Sequence, residues 1–156
     1  MGVVTDWSKY APHFTRSEFV CKHTGKCEMQ AETMGRLHLQ RRIYGRPMDI
    51  QRGSGYRDAT HPVEVRKAEP GAHARGRAAD TPVAGGAARR FLFATALVSA
   101  VEAGLLAEEQ ARAWLPEMLK HGFTGIGVHQ KGGGRFIHLD DATRADGLPR
   151  PAVWSY

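Results

Sequence analysis

Apolar positions along the chain fall into stretches of two different periods, separated by glycine and proline. Thr15-Arg16-Ser17-Glu18 has the spacing of a capping box, with Phe14 just before it, and predicts a short first helix that carries Phe19 and Val20 inward. From about Glu28 to Tyr44 the residues favour helix; Met34, Leu37 and Tyr44 share one side and Gly45 terminates the run. Residues from about Ala87 to Ala103 are apolar nearly all round, the pattern of a buried helix, and Gly104 closes it. Glu108 and Glu109 open a further helix with charges that suit its dipole. Ala111, Trp114, Leu115, Met118 and Leu119 then recur at i, i+3, i+4, i+7 and i+8 as a core stripe. Pro116 predicts a kink in that helix, and Lys120-His121-Gly122 its end.

Other stretches are strand-like. Pro47-Met48-Asp49-Ile50-Gln51 reads as a strand entering Gly53-Ser54-Gly55-Tyr56-Arg57, and a loop rich in Pro, Gly and His runs from Asp58 to Arg77. Ala78 to Val83 reads as a short strand ended by Gly85-Gly86. Gly125 to His129 and Arg135 to Asp140 are strand-like, with Lys131-Gly132-Gly133-Gly134 as the hairpin turn between them. With no internal repeat, the sum is one α+β domain over residues 1–156, a small antiparallel sheet flanked by helices. Its glycines and histidines concentrate near sheet ends and loops.

Composition narrows the function. A chain of 156 residues, 42% hydrophobic and 24% charged, suits one domain with a buried core and excludes a disordered tail. The net charge of +6 points to an acidic partner: nucleic acid, an anionic membrane or an acidic cell-wall polymer. The longest apolar run, Phe91 to Val98, is far shorter than the roughly 18 residues of a spanning helix. The opening MGVVTDWSKYAPHF has no apolar signal core, so export by the standard route is not expected. Two cysteines exclude a disulfide-dense scaffold and suggest a reducing compartment. Arg36, Arg41, Arg42, Arg89 and Arg90 fall on helices rather than in one run, which reads as solvated helix surface and not as a nucleic-acid face.

The chemistry concentrates in two places. In His73-Ala74-Arg75-Gly76-Arg77-Ala78-Ala79-Asp80, Gly76 lets the chain turn so that a loop His and a strand Asp meet at one ion. In Phe136-Ile137-His138-Leu139-Asp140, the period of two puts His138 and Asp140 on one face. Two imidazoles and a carboxylate form a three-ligand zinc set with a fourth position left for water. A hydrogen-bonded turn pair between His73 and Asp80 satisfies the same spacing, so spacing by itself does not decide.

Order along the chain adds context. Ser54-Gly55-Tyr56-Arg57, Gly71-x-His73-x-x-Gly76-x-Ala78-x-Asp80, Gly125-Ile126-Gly127 and Phe136-Ile137-His138-x-Asp140 follow one another. This set resembles the zinc D-alanyl-D-alanine peptidase family, which includes bacterial carboxypeptidases, murein endopeptidases and phage endolysins and shares its fold with the hedgehog signalling domain. The resemblance runs from Phe14-Thr15-x-x-Glu18-Phe19 to Trp154. It implies one zinc ion held by His73, Asp80 and His138, with Arg57 steadying the substrate carbonyl; the bland alternative for Arg57 is a structural arginine in a turn.

One departure concerns the general base. Many members carry an acidic residue three positions before the last zinc histidine, where this chain has Arg135. Asp140, on the face of His138, is the first candidate and His129 the second; Asp140 could equally orient a metal-binding histidine.

The expected activity is zinc-assisted hydrolysis of an amide in a peptidoglycan stem or cross-link by a monomeric phage or prophage endolysin. Such a protein stays in the host cytoplasm until lysis and then meets the wall. The rival readings are a virion-associated wall peptidase and a non-catalytic, hedgehog-like zinc module, and the bond cleaved stays open. Cys21, His23 and Cys27 read as free thiols or a labile disulfide with a loop histidine, His61 as a solvated turn residue, and His13, His38 and His121 as structural or exposed. Trp7 and Trp154 anchor the chain ends or border a substrate groove.

Overall fold

The computed structural model describes residues 2–83, 87–114, 124–129 and 136–156. A 3-10 turn (Trp7–Tyr10) and helices α1 (Arg16–Phe19) and α2 (Ala31–Tyr44) precede strand β1 (Ala78–Thr81). Helices α3 (Ala87–Glu102) and α4 (Glu108–Trp114) lead to strands β2 (Gly125–His129), β3 (Phe136–Asp140) and β4 (Ala152–Ser155). The capping box forms as expected: the Glu18 carboxylate accepts the Thr15 backbone N–H at 2.7 Å, and Phe19 is fully buried while Val20 is half-buried. Met34, Leu37 and Tyr44 of α2 are buried as well, joined by Ile43.

The sheet has the order β1-β3-β2-β4. β1, β3 and β2 are antiparallel, as expected. β4, which the sequence pattern did not suggest, runs parallel to β2 along its free edge. Register pairs Asp80 with His138, Gly127 with His138 and Gly127 with Trp154, so these residues share one face. Ala79, Ile137 and Leu139 alternate with them onto the other face, where they are fully buried in one cluster with Leu37, Phe91 and Leu97 of the helices. Burial of each large side chain there is worth about 1.5–3 kcal/mol. Tyr44 and Phe91 meet edge-on at 5.3 Å, and buried Gln40 donates to the Phe91 carbonyl at 3.0 Å, which fixes α2 against α3.

Three element boundaries differ from expectation for identifiable reasons. α2 starts at Ala31 because the backbone before it is engaged elsewhere: Met29 accepts from Val4 at 2.9 Å and Gln30 donates to Gly76 at 2.9 Å. Pro47 to Gln51 is irregular rather than a strand; Pro47 offers no N–H, and only Gln51, donating to Asp80, and Ser54, accepting from Asp80, bond the edge of β1. β1 ends at Thr81 because Pro82 cannot donate to a ladder.

Arg36 is also not a solvated helix residue. It bonds Glu102 at the end of α3 and Asp141 just after β3, at 3.0 and 2.7 Å, and Arg42 pairs with Glu108 of α4 at 2.8 Å. Of the stripe on α4, Ala111 is fully buried. The Trp114 side chain, Leu115, Pro116, Met118, Leu119, Lys120-His121-Gly122, Gly85-Gly86, the turn Lys131 to Gly134 and Arg135 lie outside the described residues.

Candidate metal centre

The loop before β1 delivers His73. Gly76 has φ 68°, and a Cβ there would clash with the Glu28 carbonyl and come within 3.1 Å of Met29 Cα. Only glycine permits that approach, which turns the chain into β1 and sets Asp80 four residues later. The His73 carbonyl accepts from the Arg57 backbone at 3.2 Å, and its Nδ1 donates to the Gly55 carbonyl at 2.7 Å. Two separate segments therefore fix both the position and the ring orientation of His73.

Asp80 and His138 meet because β1 and β3 pair them directly. His138 Nδ1 lies 2.7 Å from Asp80 Oδ1, and His73 Nε2 lies 3.4 Å from the same oxygen. One donor atom from each of the three residues lies within 4.8 Å of the others, and all three residues are buried. The donor set fits a divalent ion of the zinc type. His73 commits Nδ1 to a carbonyl and frees Nε2; His138 turns Nε2 to Asp140 at 2.8 Å and frees Nδ1; the Asp80 carboxylate stands between them.

Electrostatics agree with that fit. Burial pushes the His73 pKa below its ordinary value, toward the neutral imidazole that binds a metal. Burial opposes the charged form of Asp80 too, but hydrogen bonds from His138 and His73 hold its carboxyl well below the usual range. His138 would also be lowered by burial, yet Asp140 and Asp80 outweigh that and raise it. A divalent cation held here would compete with a proton for His138 Nδ1 beside the Asp80 carboxylate.

The peptidase M15 family model matches residues 12–114 of the chain, about two thirds of its length. The chain belongs to the peptidase M15 family. No curated protein and no solved structure matches it. The matched span holds Arg57, His73 and Asp80; His138 and Asp140 lie beyond it and reach the centre through strand pairing. The M15 peptidase is accordingly a metallopeptidase by family, and His73, Asp80 and His138 are the one metal-type cluster among its described residues.

Around this centre the M15 peptidase opens a cleft of about 520 Å³. Arg57 lines it, with Nη2 3.7 Å from Asp80 and Nη1 3.9 Å from buried Glu64, while Nε donates to the Gly53 carbonyl at 3.3 Å. Arg57 is therefore both tethered in its turn and aimed at the centre. Trp154, Tyr156 and Phe136 line the cleft as well. The Trp154 indole lies 5.1 Å from the His138 ring, on a spot where a Cβ on Gly127 would come within 2.6 Å of it. Trp154 thus borders the cleft, whereas Trp7 packs on Phe19 near the chain start.

The two candidate bases differ sharply. Asp140 is fully buried, and both of its oxygens are engaged: Arg150 Nε donates to Oδ1 at 2.8 Å and Nη2 to Oδ2 at 2.5 Å. Against the cost of burial, Arg150 and His138 lower its pKa to about 2. His129 sits on the same face, stacked on Phe136 at 5.0 Å, and its buried Nδ1 has no hydrogen-bond partner among the described residues. Sequence reasoning missed Arg150 and Glu64 as parts of this region; no local spacing rule links Asp140 to an arginine ten residues on.

The remaining candidates have structural roles. Cys21 is buried and Cys27 half-buried, and both thiols are free. His61 Nδ1 accepts from the Val63 backbone at 3.1 Å as a turn residue, and His38 packs against Tyr10, His13 and Phe14. His121 lies outside the described residues. None of the described helices is long and apolar enough to cross a membrane.

Proposed function

We propose that this M15 peptidase is a zinc-dependent peptidoglycan hydrolase that cuts an amide in the murein stem peptide or cross-link, acting as a monomeric phage or prophage endolysin. The convergence of His73, Asp80 and His138 beneath a cleft walled by Arg57 and Trp154 carries the reading. The zinc that these three residues would hold supplies Lewis acidity to a water and to the scissile carbonyl. The protein's own residues do the rest. Arg57 points its guanidinium at the centre and stabilises negative charge on the carbonyl oxygen as the tetrahedral species forms. Trp154 and Tyr156 offer flat apolar surface to the peptide and exclude water from it.

Asp140 orients His138, because a carboxylate held at both oxygens, with its pKa near 2, is a poor proton acceptor at neutral pH. His129, on the same face and with no Nδ1 partner among the described residues, takes the proton from the attacking water and returns it to the departing amine. The net charge of +6 favours retention on an anionic wall. An endolysin of this kind waits in the host cytoplasm and reaches the wall when the membrane is breached.

Mass spectrometry of muropeptides tests the reading. Purified murein should release fragments with new amino termini, release should stop with a chelator, and His73→Ala should be inactive. Stoichiometric zinc with no new amino termini would instead identify a hedgehog-like binding module.

A further inference from the structure

Arg150 belongs to the turn between β3 and β4, outside any motif of the sequence, yet its side chain is the most constrained cation near the centre. Its Nε and Nη2 form a two-pronged pair with Asp140, its Nη1 donates to the Pro149 carbonyl at 3.3 Å, and its guanidinium lies 5.1 Å from the centre of the Trp154 ring. The Arg150 carbonyl accepts from Arg144 Nε at 3.1 Å, which fixes the backbone of the turn. Gly125 leaves the space for this arrangement, since a Cβ there would collide with both the Asp140 carboxylate and Arg150. Beyond the pair, Asp140 Oδ2 faces His138 Nε2 at 2.8 Å, and Oδ1 also accepts from the Ala142 backbone at 3.2 Å.

We infer that Arg150 is a positioning residue for the metal centre. It locks the Asp140 carboxylate so that His138 donates from Nε2 and presents Nδ1 toward Asp80 and His73. The physical reason is the fork. A guanidinium holds both carboxylate oxygens at once, which fixes the plane of the carboxylate as well as its place, and an ammonium fixes neither. The imidazole that donates to that carboxylate inherits the fixed plane. Partners of this kind typically contribute 10- to 100-fold to metal affinity. Arg150 also ties the centre to the cleft wall, because the guanidinium that grips Asp140 lies over Trp154.

The inference rests on the reading of His73, Asp80 and His138 as zinc ligands, and the test separates the two. Zinc affinity is measured by competition with a chromophoric chelator for the wild type, Arg150→Gln, Arg150→Lys and His73→Ala. The ring nitrogen of His138 that binds zinc is read from imidazole ¹⁵N shifts of the zinc-loaded proteins. The wild type should bind one zinc through His138 Nδ1, His73→Ala should bind none at that site, and Arg150→Gln should bind about 10- to 100-fold more weakly with zinc found on either ring nitrogen of His138. Arg150→Lys keeps the charge, serves where Arg150→Gln does not fold, and should recover only part of the loss. Wild-type affinity in the folded variants, with zinc still on Nδ1 alone, would overturn the role of Arg150 and leave the zinc reading standing. A wild type that binds no zinc would overturn both.

Discussion

The two faces of β3 carry opposite chemistry within five residues. Ile137 and Leu139 are fully buried against the helices, while Phe136 and His138 line the cleft and Asp140 is buried on the same face behind His138. The contrast continues at the end of the strand, where two consecutive carboxylates are both buried. Asp140 meets Arg150 and points toward the centre. Asp141 meets Thr33 at 2.8 Å and Arg36 at 2.7 Å and ties the sheet to α2. Arg150 holds Asp140 low, but burial raises Asp141 despite its cationic neighbours. One face is built for stability and the other for charge, and a strand's period of two keeps them apart. Substitutions on the two faces should therefore fail in different ways.

The largest separation is expected between His138→Ala and Leu139→Ala. His138→Ala should reduce murein cleavage below detection while the thermal midpoint of the metal-free protein moves little. Leu139→Ala should cost about 2–5 kcal/mol in urea unfolding and still bind zinc wherever it remains folded. Next in size, Arg57→Ala should lower kcat by about 10²–10³ with no comparable change in stability, the scale of losing one oxyanion-stabilising group. A smaller loss of rate at unchanged stability would mean that Arg57 only shapes its turn.

The base assignment sharpens the contrast within the cleft face. His129→Ala should lower kcat about 10²–10⁴-fold without loss of zinc. Asp140→Asn should weaken zinc binding instead. If Asp140→Asn loses rate with zinc retained and His129→Ala keeps its rate, the two roles are exchanged.

The smallest effect is in acid stability. The Asp140 pKa is lowered to about 2, so its contribution is present above the ordinary carboxylate range and lost as pH falls toward 2. That of Asp141 is raised, so its contribution is present below the ordinary range and declines as pH rises through the folded value. In metal-free protein, Asp140→Asn should flatten the acid loss of stability measured by urea unfolding, and Asp141→Asn should steepen it. Equal slopes for the two variants would break the comparison.

How much of this the sequence revealed follows from what each feature depends on. The capping box at Thr15, the helix ending at Gly45 and the alternation in Phe136 to Asp140 are local patterns, and each appears in the fold. The centre was legible because Gly76 joins His73 to β1 over a few residues and β3 carries its own histidine. β4 was not, since its place depends on parallel pairing with β2 rather than on its own four residues. Arg36 read as solvated because helix charge patterns say nothing of Asp141, which lies 105 residues further along. Pro47 to Gln51 read as a strand from its residue types, but a segment that bonds β1 through Gln51 alone forms no ladder. Short-range chemistry was visible; partners chosen by the folded topology were not.

Everything proposed for the cleft requires that His73, Asp80 and His138 grip one metal ion together. Elemental analysis of wild-type protein prepared without added metal, beside His73→Ala and His138→Ala, tests it most directly. The wild type should carry close to one zinc per chain and either variant essentially none. A wild type without stoichiometric transition metal, or variants that keep it, would rule out a shared ion at these three residues.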